Sequence, residues 1–156
     1  MNSIRLKILV LILFIPYLSC ALYCTSLSNF YPVELICEYE NNPLGIDIER
    51  PRLGWKIASS QKQQKQTAYE IIVSSSLENI KRDKGDVWNS GKIISSQSIH
   101  VPYNGKSLQS FTKYYWRVRI YDKSGKRSEW SEINWFETAI MPHDKWEGEW
   151  IGDGKE

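Results

Sequence analysis

The chain is poor in the residues that usually carry chemistry. It has two histidines, His100 and His143, far apart in the sequence, and three cysteines, Cys20, Cys24 and Cys37. No Cys/His cluster has metal-ligand spacing, so the sequence offers no metal site. It has no Gly-rich phosphate loop, no nucleophile elbow and no Ser/His/Asp set, so it offers no cofactor site either. Charge of one sign is also missing. Twenty basic groups face eighteen acidic ones, and residues 1–21 hold two of the bases, Arg5 and Lys7, and no acid. The remainder has zero net charge, which gives no electrostatic case for nucleic acid, where a basic stripe is needed. Sustained helical spacing is absent, which disfavours a mixed α/β fold.

What is present first is an export signal. Arg5 and Lys7 precede the apolar run Ile8–Leu18, which has signal-peptide length and is too short for a comfortable membrane span. Two cleavage sites compete. Ser19-Cys20-Ala21 fits a small-x-small site cut after Ala21, and Leu18-Ser19-Cys20 resembles a bacterial lipobox, with Cys20 lipidated, although Tyr17 replaces the usual aliphatic residue. A retained N-terminal anchor is a third option. The expected location is the bacterial periplasm or cell surface, or the medium, with membrane contact only through the signal or a lipid on Cys20. In an oxidising compartment Cys24 and Cys37 have the chance to pair. The alternative is that Cys37, inside the strand-like Glu34–Tyr39, is a small buried hydrophobe.

Beyond the signal the periodicity is that of strands. Leu53, Trp55 and Ile57 alternate with more polar neighbours, as do Tyr69, Ile71 and Val73, and Tyr114, Trp116, Val118 and Ile120. A period of two marks half-buried antiparallel strands. Turn residues punctuate the runs at 41–45, 89–91, 104–105 and 122–125. Seven strands are expected, near 34–40, 52–58, 67–75, 86–94, 97–102, 112–122 and 129–138, with one short helical turn around Leu77–Ile80. Short strands at this spacing imply an all-β, two-sheet antiparallel sandwich, and seven Trp suit its core. The expected layout is a signal peptide at 1–21, a linker at 22–33, the sandwich at 34–139 and a second linker at 140–156. That second linker carries Trp146, Trp150 and Ile151, large apolar groups that suggest docking against another domain.

The run Leu108, Thr112, Tyr114, Trp116, Val118 resembles the approach to the sixth strand of fibronectin type III domains. There a tyrosine, here Tyr114, packs at the corner and its hydroxyl bonds back to nearby backbone. Trp55 matches the usual core tryptophan of that immunoglobulin-like fold, and Glu137-Thr138 the end of the seventh strand. A wider set of motifs is similar to the amino-terminal module of bacterial α-L-rhamnosidases: Asn42–Asp47, Pro51–Trp55, Ala68–Ile71, Asp86–Lys92, Tyr114–Val118, Trp130–Glu132 and Trp146-x-x-x-Trp150-Ile151-Gly152. The likeness covers about residues 34–152. It implies inverting hydrolysis of terminal α-L-rhamnose, performed by two carboxylates of an (α/α)6 barrel far downstream. No position here matches those carboxylates. The chain is therefore expected to be a truncated, inert module whose partners are the downstream domains.

The acids Glu34, Glu38, Glu40, Asp47, Glu49, Glu70 and Glu132 fall on outward strand positions or turns and are expected to be solvated, not catalytic. Asp47, Glu49, Arg52, Arg117 and Arg119 are candidates for exposed cross-strand ion pairs. Tyr115, Tyr121, Trp130 and Trp135 form an outward aromatic set. They either cover the sandwich edge or contact carbohydrate, such as rhamnose-containing glycans, and the second option would make the chain a free-standing binding module of the cell surface.

Overall fold

The computed structural model describes residues 29–145 and 148. The signal segment with Cys20, Cys24, and the docking candidates Trp146, Trp150 and Ile151 lie outside the described residues. The described chain forms β1 (Phe30–Cys37), β2 (Arg52–Ser59), β3 (Ala68–Ser74), α1 (Leu77–Lys81), β4 (Trp88–Asn89), β5 (Val101–Pro102), β6 (Lys113–Tyr121) and β7 (Asn134–Glu137). One sheet has the order β1-β2-β5 and the other β4-β3-β6-β7, with every neighbouring pair antiparallel. This is the seven-stranded, immunoglobulin-like sandwich that the alternation predicts.

The core lies between the sheets. Leu53, Trp55, Ile71, Val73, Tyr114, Trp116, Val118, Ile120 and Phe136 are all buried. Ile57 departs from its series and is exposed. Ile72 breaks the alternation the other way. It faces outward from β3 yet is buried, because α1 packs over that face with its own Ile80 fully covered. Ser76 caps α1 by accepting the Asn79 N–H. Trp55 is anchored as well as buried, since its indole N–H donates to Gln66 Oε1 at 3.0 Å. The corner expected at Tyr114 is formed, and there the Gln109 N–H donates to the Tyr114 hydroxyl at 2.8 Å.

The strand ends differ from the sequence expectation in four places. The first strand begins at Phe30, whose side chain is in the core, so it takes in residues expected as linker. It ends earlier too, at a tight turn in which Cys37 and Glu40 exchange both backbone hydrogen bonds. Glu38 and Tyr39 there have φ of 47° and 72°. Two left-handed residues match a two-residue hairpin turn, but such turns usually announce themselves by Gly or Asn, and here neither is present.

Two of the other differences share a cause. The expected strands 129–138 and 86–94 shrink to Asn134–Glu137 and Trp88–Asn89 because hydroxyl side chains replace backbone acceptors. Ser131 N–H donates to Val118 O at 2.8 Å, while Val118 N–H donates to Ser131 Oγ at 3.1 Å. Ser128 repeats the exchange with Ile120, and Ser90 with Ile71. The neighbour's buried backbone is satisfied in each case, but the segment carrying the serine need not be a strand. Residues 97–100 likewise run irregularly before β5, with His100 at φ 56°.

Candidate functional site

The outward aromatic set occupies one face of the four-stranded sheet. In β6 the outward positions are Lys113, Tyr115, Arg117, Arg119 and Tyr121, all half-buried. Tyr115 lies beside Trp135 of β7. Cations sit over three of the four rings: Lys113 Nζ is 4.1 Å from the Trp135 centroid, Arg119 4.3 Å from Trp130, and Lys92 4.1 Å from Tyr121. The arginines are held in turn. Arg119 pairs with Glu70 at 2.7 Å, and Arg117 with Asp83 at 2.8 Å. Arg52 pairs with Glu38 at 2.6 Å. The ion-pair partners are therefore Glu38 in the turn after β1, Glu70 on β3 and Asp83 just after α1, while Asp47 and Glu49 stand in the exposed 47–50 loop. The face is a ladder of rings and cations rather than a bare aromatic platform.

Two carboxylates, Glu38 and Asp86, have displaced pKa values, and neither suits general acid–base work, which requires a raised pKa in a sheltered cleft. Hydrogen bonding to Arg52 outweighs partial burial and holds Glu38 below the usual carboxylate range. Burial pushes Asp86 up, but hydrogen bonds led by those from Ser74 and Ser75 more than offset it, so its carboxyl is also lowered. Both displacements run opposite to what a general acid needs. Among the described residues no group of three or more His, Cys, Asp or Glu side chains is placed to hold a metal ion. Among the described residues Cys37 has no disulfide partner; it lies in the core, and burial pushes its thiol pKa up to about 12. That is the small buried hydrophobe expected from its strand position.

Two concavities bear on function. The larger, about 430 Å3, is a groove between β1 and residues 129–134. Tyr31 and Trp130 line it, with Leu35, Ser131 and Asn134 buried beneath. Asn134 Nδ2 donates to Leu35 O at 2.8 Å, Asn41 Nδ2 to the same oxygen at 3.3 Å, and Asn42 Oδ1 accepts the Trp135 N–H at 2.9 Å. Of these residues the sequence singles out Trp130. The asparagines sit in a run that looks like an ordinary turn, and Tyr31 falls before the expected first strand. The smaller cavity, about 160 Å3, lies where the chain leaves the sandwich, among Tyr103, Lys106, Leu108, Met141 and His143. There the Phe111 N–H donates to Ala139 O at 3.1 Å and the Met141 N–H to Ser110 Oγ at 2.7 Å. Met141 is buried, so the segment expected as a linker from residue 140 starts as part of the core.

Comparison with known proteins places this geometry. Residues 32–142 match the profile of the Rha78A-like, N-terminal immunoglobulin domain. An α-L-rhamnosidase of Streptomyces avermitilis is 43% identical over 114 residues, which are 73% of this chain and 11% of that protein. One from Formosa agariphila is 39% identical over 119 residues, 76% of this chain and 12% of the relative. Among solved structures, an α-L-rhamnosidase from Dictyoglumus thermophilum superposes with a TM-score of 0.75 at 43% identity, over 78% of this chain and 14% of that one. The S. avermitilis enzyme complexed with L-rhamnose gives 0.73 at 40% identity, over 79% and 12%. The chain thus spans about a tenth of the length of the relatives it matches. Its sandwich, its corner tyrosine and this likeness agree: the chain belongs to the family of Rha78A-like N-terminal immunoglobulin domains.

Proposed function

We propose that this chain serves as the non-catalytic amino-terminal module of an exported α-L-rhamnosidase, supporting and orienting the domains that follow it. The observation that carries the reading is the match over residues 32–142 to a module that makes up about 11–12% of curated α-L-rhamnosidases. An orienting role needs a fixed exit from the sandwich. The bonds at Ala139 and Met141 supply one, and Met141 is buried. Exposed Leu44 and Phe111 flank that exit, through Pro43 O at Glu137 and the Phe111 N–H at Ala139. With Trp146, Trp150 and Ile151 they are the docking candidates. The test is hydrolysis of an aryl α-L-rhamnoside by the purified chain. No turnover is expected, and measurable turnover would overturn the reading.

Export is part of the same proposal, supported by the basic and apolar character of residues 1–21. The intact mass of the mature protein decides its form. Acyl mass on Cys20 marks a lipoprotein, a start after Ala21 marks a released chain, and an uncut N-terminus would refute both. A carbohydrate role for the outer-face rings Tyr115, Tyr121 and Trp135 has weaker support, because cations sit over two of them.

A further inference from the structure

The groove between β1 and residues 129–134 has the chemistry of a ligand site that the module role does not use. Its 430 Å3 falls within the roughly 300–1,000 Å3 of small-molecule pockets. The lining holds two aromatic side chains, Tyr31 and Trp130; Arg119 takes one face of the Trp130 ring but does not itself line the groove. It holds three carboxylates, Glu34, Glu129 and Glu132, and no Lys, Arg or His. Glu34 is engaged with Lys56 at 2.5 Å. Glu129 and Glu132 are exposed at the rim, and no ion pair engages either of them among the described residues.

A peptide strand is a poor occupant. Pro32 has no N–H to offer, the strand bulges between Val33 and Ile36 with Glu34 at φ 47°, and two asparagine amides already take the Leu35 carbonyl. These are the devices that blunt a sheet edge against strand addition. What the groove still offers is ring faces and unspent acceptors. A pyranose presents both complements, with C–H faces that stack on aromatic rings and hydroxyls that donate to carboxylates. A uronate or sulfated sugar would meet Glu129 and Glu132 without a compensating cation.

We propose that this groove binds a neutral pyranose oligosaccharide, with Tyr31 and Trp130 as its stacking surfaces and Glu129, Glu132 and the Asn42 amide as its hydrogen-bonding groups. The proposal rests on the lining of the groove and not on how a following domain docks, so the two readings can fail separately.

The test is NMR titration of the full mature chain, isotope-labelled, with methyl α-L-rhamnoside, xylohexaose, cellohexaose and hexagalacturonate. Each is taken to about 10 mM, above the roughly 1 mM Kd of a shallow site. At least one neutral sugar should shift the Trp130 indole N–H and the side-chain amides of Asn41, Asn42 and Asn134, while hexagalacturonate shifts none of them. Tyr31→Ala should weaken that binding by about tenfold, equivalent to about 1.4 kcal/mol. Tyr31 is 48% exposed, so its removal leaves the fold intact, whereas Trp130→Ala also removes the Arg119 contact. Shifts from no neutral sugar, equal shifts from hexagalacturonate, or binding unchanged in Tyr31→Ala would each overturn the proposal.

Discussion

Gln66 is a buried amide that ties the core tryptophan to the loop before β5, and its replacement by methionine tests how much that tie contributes. Its Oε1 accepts the Trp55 indole N–H at 3.0 Å, and its Nε2 donates to Ser95 O at 3.1 Å and Gln97 O at 2.7 Å. Methionine keeps the length and removes all three bonds. The Trp55 N–H is then left buried without an acceptor, because Trp55 is only 1% exposed, at a cost of about 1–3 kcal/mol. Gln97 is exposed and Ser95 half-buried, so water replaces part of what their carbonyls lose, and each contributes about 0.5 kcal/mol. Gln66→Met should therefore cost about 3 kcal/mol out of a total of about 5–15. In a thermal melt that is a drop of roughly 10 °C for a domain of this size. The decisive measurement is a urea-denaturation cycle with Trp55→Phe, which removes the donor. In that background Gln66→Met should cost about 1–2 kcal/mol less. A single-variant cost below about 0.5 kcal/mol, or a cycle with no coupling, would refute the argument.

Ser131→Ala removes the acceptor of the buried Val118 N–H and should destabilise by about 1–3 kcal/mol in denaturant; Ser131→Thr, which keeps the hydroxyl, should restore most of it, and a neutral alanine would show that the hydroxyl does not replace a strand carbonyl. Cys37 should resist a thiol reagent at mildly alkaline pH in the native chain and react on unfolding, as peptide mapping would show. Its native pKa is raised from 9.0 to about 12, so the unfolded chain loses that proton first. Stability should then fall as pH rises from about 9 towards 12, with a shallower fall in Cys37→Ala; equal slopes would refute the assignment.

The strands that carry the fold are legible in the sequence because one face of each is dry. Leu53 and Trp55, the three of β3, and the four of β6 mark their sheets by alternation alone, and all are buried. The irregular edges are not legible. Nothing in Glu38-Tyr39 announces a two-residue turn, since the left-handed backbone there is imposed by the pairing of β1 with β2. Ser90, Ser128 and Ser131 look like ordinary polar residues until a neighbouring strand offers an N–H that needs an acceptor. The outer rings were visible as candidates, but the cations over Trp130, Trp135 and Tyr121 come from other strands and loops.

By itself, then, the sequence determined the all-β class, the segments that carry the main strands, the core positions of Trp55 and Trp116, the corner tyrosine and the family likeness. Each of these depends on local alternation or on residues close together along the chain. The tertiary structure decided where strands give way to serine-bonded segments, which acid pairs with which arginine, and that Tyr31, Asn42 and Trp130 line one groove. Those features join residues as far apart as Leu35 and Asn134. Contacts across such separations arise only when strands pair within a sheet or the two sheets come together, and no periodicity within either segment encodes them.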